Sequence, residues 1–397
     1  MKILAIESSC DETGIALIDA TQQRDFYTID VLGHLVNSQA TLHAQYGGVF
    51  PTLAKREHSK NAVPLLISVL SEAKLLSEVS ERPPQQKIGE LMKILEREQE
   101  LFVHLALFFA QYAKPDIDAI AVTYGPGLEP ALWVGVNFAK ALAHMWDVPL
   151  IPINHMEGHI YAALLEGNQP HYKLPETPTP LISLLVSGAH SELVLSEKIG
   201  SYQILGSTRD DAAGECFDKC ARLLGLPYPG GPHISRLASE ARNNNLKKEF
   251  TLPRPMLHDT SLDCSFSGLK TALLRITEKN NNLSDMQKQD LAREIEEAIV
   301  EVLVAKSLRA LEQFPAKTFV LSGGVSANTH LIQQLSQKIQ KEFPDVALRI
   351  SPRNLSADNA LMIACAAAPK ALHKMFATPE QIQAQGNLSL GRRVSTT

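Results

Sequence analysis

The stretch "KILAIESSCDETGIALID", residues 2–19, decides the fold. It is an apolar run, a short polar turn and a second apolar run, which is the layout of a β-hairpin with a polar tip. The same layout returns at residues 180–197 as "PLISLLVSGAHSELVLSE", now with a glycine in the tip. The later part of each half also matches. "IDAIAVTYGPGLEPALWVGVNFAKALA" (117–143) reads as strand, glycine turn, helix, and so does "KTFVLSGGVSANTHLIQQL" (317–335). Two α/β units with one order of elements predict a duplicated fold whose halves flank a cleft.

The bulk numbers agree with that size. A chain of 397 residues, 45% of them hydrophobic, can build two or three cores. Its 38 basic and 43 acidic side chains leave a formal charge of −5, so a nucleic-acid partner needs a local patch or a helper subunit. The five scattered cysteines argue against a disulfide framework and for a reducing, cytoplasmic setting. Cys216 and Cys220, four apart in "GECFDKCARLLGL", read as a buried helix face rather than a metal pair. The opening "MKILAIESS", interrupted by Glu7, has no signal-peptide core, and "LFVHLALFFAQY" is too short for a bilayer. No membrane role is expected.

The halves divide at about residues 1–153 and 154–357, with a C-terminal helix over about 358–375 completing the first. Residues 78–112 form a separate helical insertion, where one long amphipathic helix carries Leu91, Ile94, Leu95, Leu101 and Leu105 on its apolar stripe. The polar stretch 376–397 reads as a loosely held tail.

Three turns have the chemistry to hold anions. "SGGVSAN" (322–328) pairs Gly323 and Gly324 with a following helix N-terminus. "VSGAH" (186–190) and "SSCDET" (8–13) are hairpin tips able to cradle phosphate oxygens. In "DDAAGECFDKCARLLGLPYPGGPHI" (210–234), Asp218 either accepts from ribose hydroxyls or pairs locally with Lys219 or Arg222. Lys247, Lys248 and Arg254 are available as phosphate contacts or as ordinary solvated surface.

In "PINHMEGHIYAALLEG" (152–167), His155 and His159 stand at i and i+4 on one helix face, close enough to share a metal ion or simply to be neighbours. Glu157 is not the glutamate of a zinc protease, because that motif places its acid directly after the first histidine, where Met156 stands. A third ligand must come from elsewhere. Asp358, at a helix start in "NLSADNALMIACAAA", is a candidate, though its local role reads as a cap.

In order, "IESSCDETGIAL", "HAQYGGVFPTLAKREH", "GPGL", "NHMEGH", "LVSGAHSELV", "DDAAGECFDKCARLLGLPYPGGP", "SFSGLKTA", "LSGGVSAN" and "SADNALMIA" resemble the motifs of the TsaD family, also called Gcp or YgjD. The resemblance spans residues 2 to about 366. It implies a duplicated actin-like, Hsp70-like (ASKHA) fold of two ribonuclease-H-like domains. It also implies transfer of a threonylcarbamoyl group from threonylcarbamoyl-AMP to the N6 amine of adenosine 37, in tRNAs that read codons starting with A. Carried over residue by residue, His155, His159 and Asp358 fall on ligands of one divalent metal, iron or zinc. Leu185, Val186, Ser187, Gly188, Ala189, Asp218, Gly231 and Asn328 fall on positions for an adenylate or ATP/ADP-type ligand, and Asp11 and Glu12 on an acidic catalytic tip. The implied partners are tRNA, TsaB-like and TsaE-like helpers, and a TsaC-like enzyme that supplies the donor. A non-catalytic nucleotide-binding scaffold and an actin-like ATPase are the competing classes.

The chain departs from the family pattern in places. Ala189 replaces a second glycine, Ser356–Ala357 replaces Cys–Thr, and Glu129–Pro130 follow "GPGL" where small or apolar residues are usual.

Overall fold

The computed structural model describes residues 1–79, 83–175, 179–280 and 282–393. These form two compact units, Met1–Glu176 with Asp358–Ser389, and Thr177–Ala357 with Leu390–Thr397.

In the first unit, β1 (Lys2–Glu7), β2 (Glu12–Gln22) and β3 (Phe26–Ser38) form an antiparallel meander. Then come α1 (Ala40–Ala44), α2 (Pro51–Glu72), α3 (Gln85–Ile94) and α4 (Gln99–Gln111). β4 (Ala119–Gly125), α5 (Glu129–Trp146) and β5 (Leu150–Asn154) add parallel strands beside β1, and α6 (His155–Leu164), β6 (Glu166–Asn168) and β7 (His171–Pro175) follow. The sheet order is β5-β4-β1-β2-β3-β7-β6.

The second unit repeats the plan. β8 (Leu181–Val186), β9 (Ser191–Lys198) and β10 (Ser201–Ser207) form the meander. α7 (Ala213–Leu223), α8 (Gly230–Asn243), α9 (Ser267–Lys279) and α10 (Asp285–Gln313) lead to β11 (Thr318–Ser322), α11 (Thr329–Glu342) and β12 (Ala347–Ile350). α12 (Ala360–Leu372) belongs to the first unit, and β13 (Arg392–Arg393) pairs with β10 in the second. The second sheet runs β12-β11-β8-β9-β10-β13. Its first five strands have the order and directions of their counterparts in the first sheet. The chain is therefore a duplicated α/β protein with the ribonuclease-H-like strand order in both units.

Period-two alternation in β1 explains how one strand serves two layers. Leu4 and Ile6 join the core formed with α2, α4 and α5. Ile3, Ala5 and Glu7 point to the opposite face, which α12 crosses. α12 packs tightly because its sequence "ALMIACAAAPKAL" is rich in alanine, and because a Cβ on Gly14 of β2 would come within 2.8 Å of the Ala360 nitrogen.

Three sequence expectations need correction. The division between the units falls after residue 176 rather than 153, because β7 pairs with β3 and α6 packs against α12, which keeps residues 154–175 in the first unit. The insertion is two helices, not one. Residues 80–82 lie outside the described residues, and the helix breaks at residues 95–98, where Glu98 turns its carboxylate inward. Asn137 donates to Glu98 at 3.0 Å and the Lys55 ammonium lies 3.3 Å away. Leu91, Leu95, Leu101 and Leu105 are buried as the stripe predicts, with Ile94 half-buried. Lastly, residues 376–393 are docked. Ile382 is fully buried, Gln385 N donates to Tyr124 O at 2.8 Å, and Arg393 pairs with Asp263; residues 394–397 lie outside the described residues. The few apolar side chains in this stretch are spaced to meet the core, which composition does not reveal.

Candidate active site

His155 opens α6 directly after β5. Asn154 ends the strand and caps the helix, its side-chain oxygen accepting from Met156 N at 2.9 Å. The whole helix is buried, so neither histidine is a surface residue. His155 and His159 meet edge to face, ring centroids 4.8 Å apart at 87°. Asp358 arrives from the N-terminal end of α12. It is not the cap of that helix: Asn359 fills the position, accepting from Met362 N at 3.0 Å, and this leaves the neighbouring carboxylate to face the rings. One Asp358 oxygen lies 3.4 Å from His155 Nε2 and 3.2 Å from His159 Nε2.

The donor set passes the test for a divalent metal. Two imidazole nitrogens and a carboxylate oxygen lie within 4.8 Å of one another. Ligands about 2.1 Å from a common ion would be separated by about 3.0–3.4 Å, close to the distances from Asp358 to each ring. The outer ring of contacts has the form that fixes a metal-binding histidine. His155 Nδ1 lies 3.1 Å from both Glu7 Oε2 and Ser9 Oγ. Glu7 is itself held by Thr123 Oγ1 and by Ser9 N, both donating at 2.6 Å.

Charge follows geometry here. Burial alone would depress His155, but Asp358 and Glu7 outweigh it and hold the imidazolium well above the ordinary 6.5. Burial would raise Asp358, yet His155 and His159 keep it well below its usual range. Glu7 is likewise lowered, His155 overcoming its burial. Glu12, on the acidic tip, behaves in the opposite sense. Burial, reinforced by Asp358 and Asp11, pushes Glu12 up to about 9, so it is a neutral acid at pH 7. The tip backbone is clamped by His58 of α2, whose Nε2 lies 3.0 Å from Cys10 O and whose Nδ1 lies 2.8 Å from Thr13 Oγ1.

Glu157 faces away from the rings and pairs with Lys370 of α12 at 2.7 Å. Glu7, Ser9, Thr123 and His58 were not singled out from the sequence as site residues. Glu7 had left a signal, a carboxylate inside an otherwise apolar buried strand. The other three had none, since serines, threonines and histidines are common in such segments.

The remaining candidates all lie in the second unit. Leu185 and Val186 are fully buried strand residues, paired with Glu192 and Ser191 of β9. Ser187 organises the tip: its hydroxyl accepts from Ala189 N at 3.3 Å and His190 N at 3.1 Å. Gly188 and Ala189 are exposed. Ala189 is absent from the residues with positive φ, so its methyl group imposes no backbone strain on the tip. The "SGGVSAN" turn packs behind it, since a Cβ on Gly323 (φ +92°) would strike Val186 O at 2.4 Å.

Asp218 sits on α7 and accepts from Gly230 N at 2.6 Å, with Gly231 N as a second donor, so it caps α8. Lys219 instead pairs with Asp211 and Glu215, at 2.6 and 2.8 Å. Asn328 caps α11 by accepting from Leu331 N at 2.8 Å, and it donates at 2.7 Å to Ser235 Oγ of α8 and to buried Glu296 of α10. The tip, the "SGGVSAN" turn and the start of α8 thus form one connected set. Lys248 and Arg254 are occupied by acids of α10, Lys248 with Glu297 at 2.5 Å and Arg254 with Glu294 and Glu301. Their charges are compensated there. Cys216 and Cys220 are core residues. Glu129 and Pro130 occupy the first turn of α5, where an acid and a proline are favoured. Among the described residues, no helix is long and apolar enough to cross a membrane.

The family model described as "TsaD: tRNA N6-adenosine threonylcarbamoyltransferase" matches residues 30–80 and 100–365. A tRNA N6-adenosine threonylcarbamoyltransferase of Chromobacterium violaceum is 42% identical over 383 residues, covering 96% of this chain and 95% of the relative. One of the same name from Bordetella petrii is 41% identical, covering 93% and 91%. Full-length HypF in its phosphate- and nucleotide-bound form aligns with a TM-score of 0.49 at 12% identity, over 95% of this chain and 47% of that one.

Proposed function

Because the chain belongs to the TsaD family of tRNA N6-adenosine threonylcarbamoyltransferases, we propose that His155, His159 and Asp358 hold one divalent metal, iron or zinc, at the centre of that transfer. The carrying observation is the convergence of those three side chains, backed by Glu7 and Ser9 on the free nitrogen of His155.

The donor is threonylcarbamoyl-AMP, a mixed anhydride whose carbonyl is already activated. The adenosine N6 attacks that carbon; the N–C bond forms, the C–O bond to phosphate breaks, and AMP departs with the electron pair. When bound, the metal supplies Lewis-acid polarisation and charge stabilisation. Glu7 and Ser9 keep the His155 ring in its ligating orientation. Glu12, held neutral by burial, can donate a hydrogen bond, and Asp11 beside it on the tip is assigned to accept the proton the amine loses. The Ser187–Ala189 tip, with open space at Gly188, and the start of α8 at Gly231, held in place by Asp218, receive the AMP portion by allowing its close approach. Asp218 and Asn328 act there by fixing helix starts, which supports positioning rather than direct contact. We place this chemistry in the cytoplasm, with tRNA, TsaB-like and TsaE-like helpers and a TsaC-like donor enzyme.

The test is mass analysis of tRNA nucleosides after incubation with threonine, bicarbonate, ATP and the companion proteins. His159→Ala should lose its bound metal and nearly all transfer. Full activity in a metal-free His159→Ala protein would refute the metal's role.

A further inference from the structure

Residues 45–50, "QYGGVF", join α1 to α2 and expose two large rings. Tyr46 is 63% exposed and Phe50 54%, with centroids 6.0 Å apart and planes 26° from parallel. The described residues leave more than half of each ring exposed, although aromatic side chains normally bury most of their area.

The root of the loop is rigid. His43 is fully buried; its carbonyl accepts from Tyr46 N at 2.9 Å and Gly48 N at 3.4 Å, and its Nδ1 accepts from Phe50 N at 3.3 Å. His43 Nε2 lies 3.1 Å from Gln39 Oε1, and Gln39 N donates to Asp11 O at 3.0 Å. The rings are therefore tied through two buried side chains to the acidic tip that carries Asp11 and Glu12.

α2, which starts after Phe50, carries the exposed cations Arg56, 3.9 Å from Glu57, and Lys60, and its first turn carries no acid. Between residues 39 and 60 the only acid is the half-buried Glu57. Exposed rings leading into a helix that carries exposed cations are a combination that takes single-stranded RNA: bases stack on the rings, and phosphates meet cations along the helix. Glycines 47 and 48, both with positive φ and with open space where a Cβ would stand, let the rings adjust to a base.

We propose that Tyr46 and Phe50 form a stacking platform for an unpaired nucleobase in the tRNA loop that carries the reacting adenosine. The proposal rests on the transferase reading for the identity of the RNA, while its test does not depend on catalysis.

The experiment measures equilibrium binding of an anticodon stem-loop RNA to the full chain assembled with its helper proteins. Tyr46→Ala and Phe50→Ala should each weaken binding by about 5- to 100-fold, the range for loss of one stacked base. The ring-preserving Tyr46→Phe and Phe50→Tyr should stay within about twofold. A stem-loop made abasic at the stacked position should bind the native protein as weakly as intact RNA binds the alanine variants. In turnover, the loss should fall on KM for tRNA more than on kcat, with bound metal retained as a check on folding. Unchanged RNA affinity in both alanine variants overturns the proposal, as does loss of helper-protein association with RNA affinity intact, which would make the rings a protein-docking face. Failure of the metal scheme would show separately, as full activity in His159→Ala with RNA binding unaffected.

Discussion

Glu7 divides its oxygens among Thr123, Ser9 N and His155, and through them it sets the orientation of a ring that must offer its other nitrogen to a metal. Without metal, His155 holds its proton unusually strongly, because Asp358 and Glu7 outweigh burial. The sign follows from linkage. A raised histidine value stabilises the metal-free fold below the ordinary 6.5, and that contribution is lost as pH climbs through the folded value. The same proton must leave before His155 can ligate. Metal affinity should therefore keep rising with pH above about 6.5, where an unperturbed histidine would already be neutral. A metal titration at several pH values checks this, and a flat profile above pH 6.5 would contradict it.

At the scale of elements, the site depends on how closely α12 approaches β2 and α6. The absence of a side chain at Gly14 brings the start of α12 against β2, and this sets where Asp358 stands. Gly14→Ala places a methyl group 2.8 Å from the Ala360 nitrogen, so the backbone of α12 has to shift. The expected result is a folded protein whose metal affinity falls by tenfold or more, since ligand geometry is sensitive to displacements of an ångström. Calorimetric metal binding alongside a thermal melt separates the two effects. Elsewhere α3, which lies outside the family match, is fastened by Lys87. Its ammonium donates to His144 O and Met145 O at the end of α5 and to Asp147 at 2.6 Å, where a cation complements the helix dipole.

Across the whole molecule, the C-terminal segment ties down parts of both units. In the first, Ile382 is part of the buried core, and Gln385 and Gly386 bond to Tyr124 and Gly127 around the turn after β4. That turn reaches the site, because Leu128 N donates to Ser9 O at 2.7 Å. In the second, Arg393 pairs with Asp263, which burial would raise but which hydrogen bonds and two arginines keep low. Ile382→Ala should destabilise the first unit by about 2–5 kcal/mol, the usual cost of emptying a fully buried aliphatic site. Urea unfolding followed by a first-unit probe such as Trp146 reads the change, and a loss below about 1 kcal/mol would mean the segment is not part of that core.

The alternation of apolar residues, the twice-used hairpin and the two strand–turn–helix units determined the duplicated α/β plan, because each unit shows in the local periodicity of a single segment. The i, i+4 spacing determined that His155 and His159 share a helix face. Tertiary structure alone decided that this face is buried, that Asn359 rather than Asp358 caps α12, and that Glu7 stands behind His155. Each of those outcomes brings together residues well over a hundred positions apart, or lets one neighbour take a cap and so free the other. It also decided the fate of the polar C-terminal stretch, whose docking rests on one isoleucine and a few backbone bonds that composition averages away.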